Sequence, residues 1–108
     1  MMNAIHYTYI LASKRRGALF VGTTPDLIGC VSEHKGNLVD GVTSHYAIHR
    51  LVYFERFDEA GPALLREAEI KLLPRCLKLH LIERQNPDWD DLYEFIAEIC
   101  AQPSQVSA

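Results

Sequence analysis

The sequence predicts an α+β fold, a small three-stranded antiparallel sheet flanked by helices, on three observations. Two short runs of β-branched and aromatic residues near the N-terminus are separated by a polar stretch of hairpin length. A third such run stands near the middle of the chain. After it, apolar residues recur at helical spacing and prolines punctuate the pattern.

The first strand covers residues 5–11, where Ile5, Tyr7, Tyr9 and Ile10 mix β-branched and aromatic side chains. It runs into Ser13, Lys14, Arg15, Arg16 and Gly17, a basic hairpin loop, and the second strand follows over Ala18 to Gly22. Thr24 as N-cap, Pro25 at the first helical position and the spacing of Leu27, Cys30, Val31 and His34 predict a helix over residues 25–35. Gly29 inside it costs roughly 1 kcal/mol relative to alanine. Residues 36–46 have loop composition, with Gly36, Asn37, Asp40 and Gly41. His49 to Arg56 then reads as a third strand that joins the hairpin in one sheet.

Gly61 and Pro62 open a second helix whose apolar face is expected to be Leu64, Leu65, Ala68 and Leu72, and Pro74 ends it. Cys76, Leu77, Leu79, Leu81 and Ile82 support a third helix. A final amphipathic helix, starting near Asp88, carries Leu92, Phe95, Ile96 and Ile99. One domain over residues 1–100 and a disordered tail over 101–108 complete the expected organisation.

Hydrophobic residues make up 48% of the 108 and charged residues 23%, values that exclude intrinsic disorder and call for a packed core. No apolar run approaches the ~20 residues of a membrane span, and the N-terminus lacks a basic segment followed by an apolar one. A soluble, cytoplasmic protein without membrane partners is the expectation. Cys30, Cys76 and Cys100 form neither an even disulfide set nor a CxxC pair and are expected to be free thiols. The formal charge of −3 does not advertise a nucleic-acid binder. Five of the fourteen acids lie in residues 86–108, which hold no Lys or Arg, so residues 1–85 carry eleven bases against nine acids.

Three separated segments resemble the GIY-YIG nuclease superfamily: Tyr7 to Leu11, then Leu19 to Gly22 with its Phe20, then Glu33, His34 and Lys35. His49 to Val52 and the segment Asn86 to Tyr93 with Trp89 extend the match to the small stand-alone bacterial branch, related to the nuclease domain of an excision-repair endonuclease subunit and to homing endonucleases. The resemblance implies metal-dependent hydrolysis of DNA, branched or damaged DNA included, with a protein partner as the alternative ligand. It implies that a tyrosine activates water, an arginine on the first helix stabilises the phosphate, and a glutamate on a later helix holds a single Mg²⁺ or Mn²⁺. Such cations neutralise charge that develops on the phosphoryl oxygens.

Residue by residue, the first motif tyrosine maps to Tyr9 and the glutamate to Glu67, both present. The second motif tyrosine falls at Phe20, which cannot take a proton, and the arginine falls at Cys30, which cannot clamp a phosphate as a guanidinium does. The family asparagine maps to Asn86, and His34 joins Tyr9 and Glu67 as a residual catalytic set. Lys14, Arg15, Arg16, Lys35 and Arg66 are the candidate phosphate contacts. The expected activity is therefore that of a weak or degenerate endonuclease, and a non-catalytic nucleic-acid- or protein-binding module is the second reading.

Each assignment has a plainer alternative. Glu67 can form an intrahelical ion pair with Lys71 at i+4. His34 and Tyr9 can be core residues with satisfied polar atoms, Trp89 a core anchor and Cys30 an inert thiol. Lys14, Arg15 and Arg16 can be a solvated turn, and the second basic region of Arg66, Lys71, Arg75, Lys78 and Arg84 is interrupted by Glu67, Glu69 and Glu83.

Overall fold

A computed structural model describes residues 5–35 and 48–101. Its elements run β1 (His6–Ala12), β2 (Leu19–Thr24), α1 (Leu27–Lys35), β3 (Arg50–Phe57), α2 (Ala60–Leu72), α3 (Arg75–Gln85) and α4 (Tyr93–Ala101). The expected loop over 36–46 and the tail beyond 101 lie outside the described residues.

The three strands form one antiparallel sheet in the order β2-β1-β3, as the α+β expectation requires. β1 is central and has helices over both faces, so Thr8 to Ala12 are all buried. Alternation along the strand sends Ile10 and Ala12 to one core, with Val52, Ile70 of α2, Ile82 of α3 and Trp89. Tyr9 and Leu11 go to the other, with Leu27 and Val31 of α1, Leu51 and Ile96 of α4. Between Ile10 and Leu11 the pairing skips Val52, a bulge that puts Val52 and Tyr53 together on the α2–α3 side.

Three expectations need correction. The second helix buries Ala63 and Ile70, while Leu64, Leu65 and Leu72 are 56%, 63% and 85% exposed, so its leucine stripe faces solvent. The first helix begins at Leu27 because Asp26, not Thr24, caps it: the Asp26 carboxylate accepts from the Gly29 N–H at 3.0 Å. Thr24 instead accepts from the Asp26 N–H at 3.0 Å in the turn before. A Cβ at Gly29 would lie 2.3 Å from the exposed Asp26 carboxylate, so a side chain there would have to displace the cap. The last helix starts at Tyr93 rather than near Asp88, since Trp89 has left-handed backbone (φ 59°) that no helix continues through.

Two left-handed residues meet at one carboxylate. Arg16 at the hairpin tip (φ 56°) donates to Glu83 through Nε at 2.9 Å and Nη2 at 3.0 Å, and the fully buried Trp89 donates its indole N–H to Glu83 at 2.7 Å. Arg75 holds the Arg16 and Gly17 carbonyls at 2.6 and 2.7 Å, and Arg50 holds the Trp89 carbonyl at 3.2 Å. The bonds from Arg16, then that from Trp89, pull the Glu83 carboxyl down to about 2. A carboxyl lowered on folding stabilises the native state above its unfolded value and loses that contribution as pH falls through its folded value.

Chemical denaturation of dilute protein should show Ile70→Ala destabilising by about 2 to 5 kcal/mol, and Leu64→Ala changing stability by no more than about 0.5 kcal/mol. Equal losses for the two would return the leucine stripe to the core. In a stability profile against pH, Glu83→Gln should remove part of the decline between pH 4.5 and about 2. An unchanged profile would mean that Glu83 titrates normally.

Candidate active site

β1 presents Tyr9 to the α1 face of the sheet, where it is 3% exposed and opposite Gly22 of β2. The glycine is required there. A Cβ on Gly22 would lie 2.7 Å from the Tyr9 hydroxyl oxygen and 2.9 Å from its ring. With that space free, the phenol crosses β2 and reaches the Cys30 thiol on α1, at 3.1 Å between Oη and Sγ. Phe20 packs against it with ring centroids 6.2 Å apart, and the His34 ring lies 5.5 Å from Phe20. Four of the positions singled out in the sequence, Tyr9, Phe20, Cys30 and His34, thus form one contiguous cluster.

Burial, followed by the hydrogen bond to Cys30 and the charges of Cys30 and Glu67, pushes the Tyr9 phenol far above its ordinary range. Tyr9 is held as a neutral phenol. His34 is 7% exposed, and its Nδ1 has no hydrogen-bond partner among the described residues. Desolvation lowers its pKa and His49 lowers it further, against an opposing pull from Glu33, so the neutral imidazole is favoured.

Glu67 lies on the other face of the same sheet edge. α2 brings it over Thr23 of β2, whose hydroxyl donates to the Ala63 carbonyl at 3.4 Å and helps to lower the Glu67 carboxyl. Lys71, one turn on, sits 2.6 Å from its carboxylate, so the intrahelical pair foreseen as the plain alternative is present. Burial works to raise the Glu67 carboxyl, but the bonds from Lys71 and Thr23 outweigh it and the net shift is downward. Thr23 was not singled out in the sequence. Only its place beside Gly22, on the strand pair that carries Tyr9, signals it.

The carboxylate and hydroxyl of Glu67 and Thr23 are hard oxygen donors of the kind Mg²⁺ takes while keeping most of its waters. Among the described residues no three His, Cys, Asp or Glu side chains converge as a metal cage, so the donor set fits a water-rich single-carboxylate site and not a zinc centre.

The proposed phosphate contacts are mostly engaged elsewhere. Arg16 is on Glu83, and Lys35 pairs with Asp91 and lies over the Tyr93 ring. Arg66 chelates Glu55 of β3 at 3.0 and 3.1 Å and also reaches Glu69, so it points to the strand at the far edge of the sheet from Cys30. Asn86 is 5% exposed and spends its amide on the Val52 and Asp90 carbonyls and the Asp90 N–H. Lys14 and Arg15 remain exposed at the hairpin tip.

A model of the GIY-YIG catalytic domain matches residues 5–76. The chain is 38% identical over 82 residues to a UPF0213 protein of Haloquadratum walsbyi, covering 76% of this chain and 91% of that one. It is also 38% identical over 77 residues to a UPF0213 protein of Staphylococcus saprophyticus, covering 71% and 93%. Among solved structures it is similar to the solution NMR structure of a UPF0213 protein from Bacillus halodurans, with a TM-score of 0.51 and 25% identity over 81% of this chain and 92% of that one.

Replacing the thiol beside Tyr9 by a cation should stabilise the phenolate. Spectrophotometric titration is expected to show one tyrosine of Cys30→Arg ionising at lower pH than in the parent, a change absent when Tyr9→Phe is added. A titration curve indifferent to residue 30 would break the link between the two side chains.

Proposed function

The chain belongs to the GIY-YIG family, and on that premise we propose that it is a DNA endonuclease of that type with weak, degenerate catalysis. The observation that carries this reading is the Tyr9 hydroxyl resting on the Cys30 thiol at 3.1 Å, where the family resemblance calls for an arginine. In this reading the tyrosine of a nucleophile-activating site is kept while a thiol stands where the family arginine would be.

The residues would act as follows. Tyr9, fixed in direction by Gly22 and Cys30, presents its oxygen to a water and to the phosphate, but its raised pKa keeps it protonated and a poor base at neutral pH. Phe20 excludes water from one side of the phenol and offers no second hydroxyl. Glu67 and Thr23 would hold the divalent ion, Mg²⁺ or Mn²⁺, in exchange for Lys71. When bound, that ion supplies charge neutralisation at the phosphoryl oxygens. Losing one preorganised charge stabiliser costs on the order of 10² to 10³ in rate, so Cys30 alone can reduce turnover that far.

A second reading, a binding module for nucleic acid or protein without cleavage, is favoured by the internal pairing of Arg16, Lys35 and Arg66. Those pairs spend charge that phosphate contacts would use, while Lys14 and Arg15 of the hairpin tip are exposed.

Cleavage of plasmid and branched oligonucleotides with Mg²⁺ or Mn²⁺ tests the choice. The parent should cut slowly, Phe20→Tyr/Cys30→Arg faster by on the order of 10² or more, and Glu67→Ala in either background not at all. Cutting that survives Glu67→Ala would sink the proposed metal ligand. If neither the parent nor the restored variant cuts, while both shift DNA with a steep salt dependence, the binding module replaces the enzyme.

A further inference from the structure

Among the described residues, one ion pair includes the candidate metal ligand. Arg16, Lys35 and Arg66 hold Glu83, Asp91 and Glu55, carboxylates outside the candidate site. Lys71 holds Glu67 itself, with Nζ 2.6 Å from Oε2. The two partners differ in freedom: the Glu67 side chain is 19% exposed, while that of Lys71 is 54% exposed. The carboxylate is the fixed member of the pair. The ammonium, a point charge on a flexible four-carbon stem, is the movable one.

A divalent ion and Lys71 compete for that carboxylate, because two cations held on one carboxyl group repel each other at short range. The pair that such an ion displaces is an exposed i, i+4 contact, so the competition is mild, on the order of two- to fivefold in metal affinity. Once displaced, Lys71 keeps its charge and loses the one ion-pair partner it has among the described residues. Its backbone stays one helical turn from Glu67, so its ammonium swings within reach of whatever Glu67 holds. The Glu67 charge is felt at the Tyr9 hydroxyl on the other face of the sheet. A phosphate that engages both residues meets a thiol rather than a cation at Cys30, and a released ammonium supplies the charge it lacks.

We propose that Lys71 is a DNA contact released by metal: it occupies Glu67 in the metal-free protein and turns to the DNA backbone when a divalent ion takes the carboxylate, so that metal and DNA bind cooperatively through it. The proposal rests on Glu67 as the metal ligand of the preceding section. Coupling of this kind is reciprocal, so DNA tightens metal binding by the factor by which metal tightens DNA binding.

Two binding equilibria of the full chain test it, and neither requires cleavage. Mn²⁺ is titrated without DNA and followed by electron paramagnetic resonance, and a fluorescent duplex oligonucleotide is titrated by anisotropy in Mn²⁺ or in EDTA. Lys71→Met, an exposed position whose folding circular dichroism checks, should bind Mn²⁺ about two- to fivefold more tightly than the parent. In EDTA it should bind DNA as the parent does. In saturating Mn²⁺ it should bind DNA more weakly, with a slope of log Kd against log salt smaller by about one, the mark of a single lost phosphate contact. Glu67→Gln should bind no Mn²⁺, yet it frees Lys71 without metal, so in EDTA it should bind DNA more tightly than the parent and lose that gain when Lys71→Met is added. Unchanged Mn²⁺ affinity in Lys71→Met, a DNA affinity lowered equally in Mn²⁺ and in EDTA, or a parent that binds no duplex in Mn²⁺ would overturn the proposal while leaving Glu67 as the ligand. Mn²⁺ binding that survives Glu67→Gln would overturn the ligand assignment and the proposal with it.

Discussion

β1 lies between two strands and between two helical layers, so five consecutive side chains, Thr8 to Ala12, leave water together. Two of them carry hydroxyls, and a buried hydroxyl without a partner costs about 1 to 3 kcal/mol. Their partners fix the layers. Thr8 donates to the Ala63 carbonyl at 2.7 Å and so ties the start of α2 to one face. Tyr9 meets the Cys30 thiol and so ties α1 to the other. The helices that cover the sheet are thus positioned by the polar atoms of the strand they cover, and the candidate active site is one of those two ties.

That origin clarifies the chemistry of the site. The tyrosine is anchored before any substrate arrives, and its surroundings are arranged to keep the neutral form: an apolar neighbour in Phe20, a thiol in hydrogen-bond contact and a carboxylate across the sheet edge. A guanidinium in place of the thiol would reverse the electrostatics at the phenol.

Much of the fold was legible in the sequence because strands with mixed β-branched and aromatic residues, and a turn of Ser, Lys, Arg and Gly, have few other destinations. The phase of α2 was not legible. Leu64, Leu65, Ala68 and Leu72 make a more hydrophobic stripe than Ala63 and Ile70, and only the closeness of α2 to the sheet, set by Thr8 and Thr23, selects the smaller set for burial. The start of α4 was misplaced because the left-handed backbone of Trp89 is held by Asn86 and Glu83 close by and by Arg50, 39 residues away, bonds that no helical periodicity signals. In the site, the resemblance singled out Tyr9, Phe20, Cys30 and Glu67; the first three meet on the α1 face of the sheet, while Glu67 lies on the other face. The resemblance could not reveal that Arg16, Lys35 and Arg66 are spent on internal carboxylates, since ion pairs that join residues 16 to 83 and 35 to 91 are properties of the tertiary fold.

The Glu83 carboxylate joins a hairpin tip near the beginning of the chain to a turn near its end, across 67 residues. During synthesis the hairpin emerges long before its latch. Arg16 gains the partner at its left-handed backbone only once Glu83 has left the ribosome, so the closing part of the described fold completes the opening hairpin. A nascent chain halted before that point holds a sheet whose α3 side is still uncovered, and it is at this stage, rather than in the finished protein, that the domain is most open to chaperones and proteases.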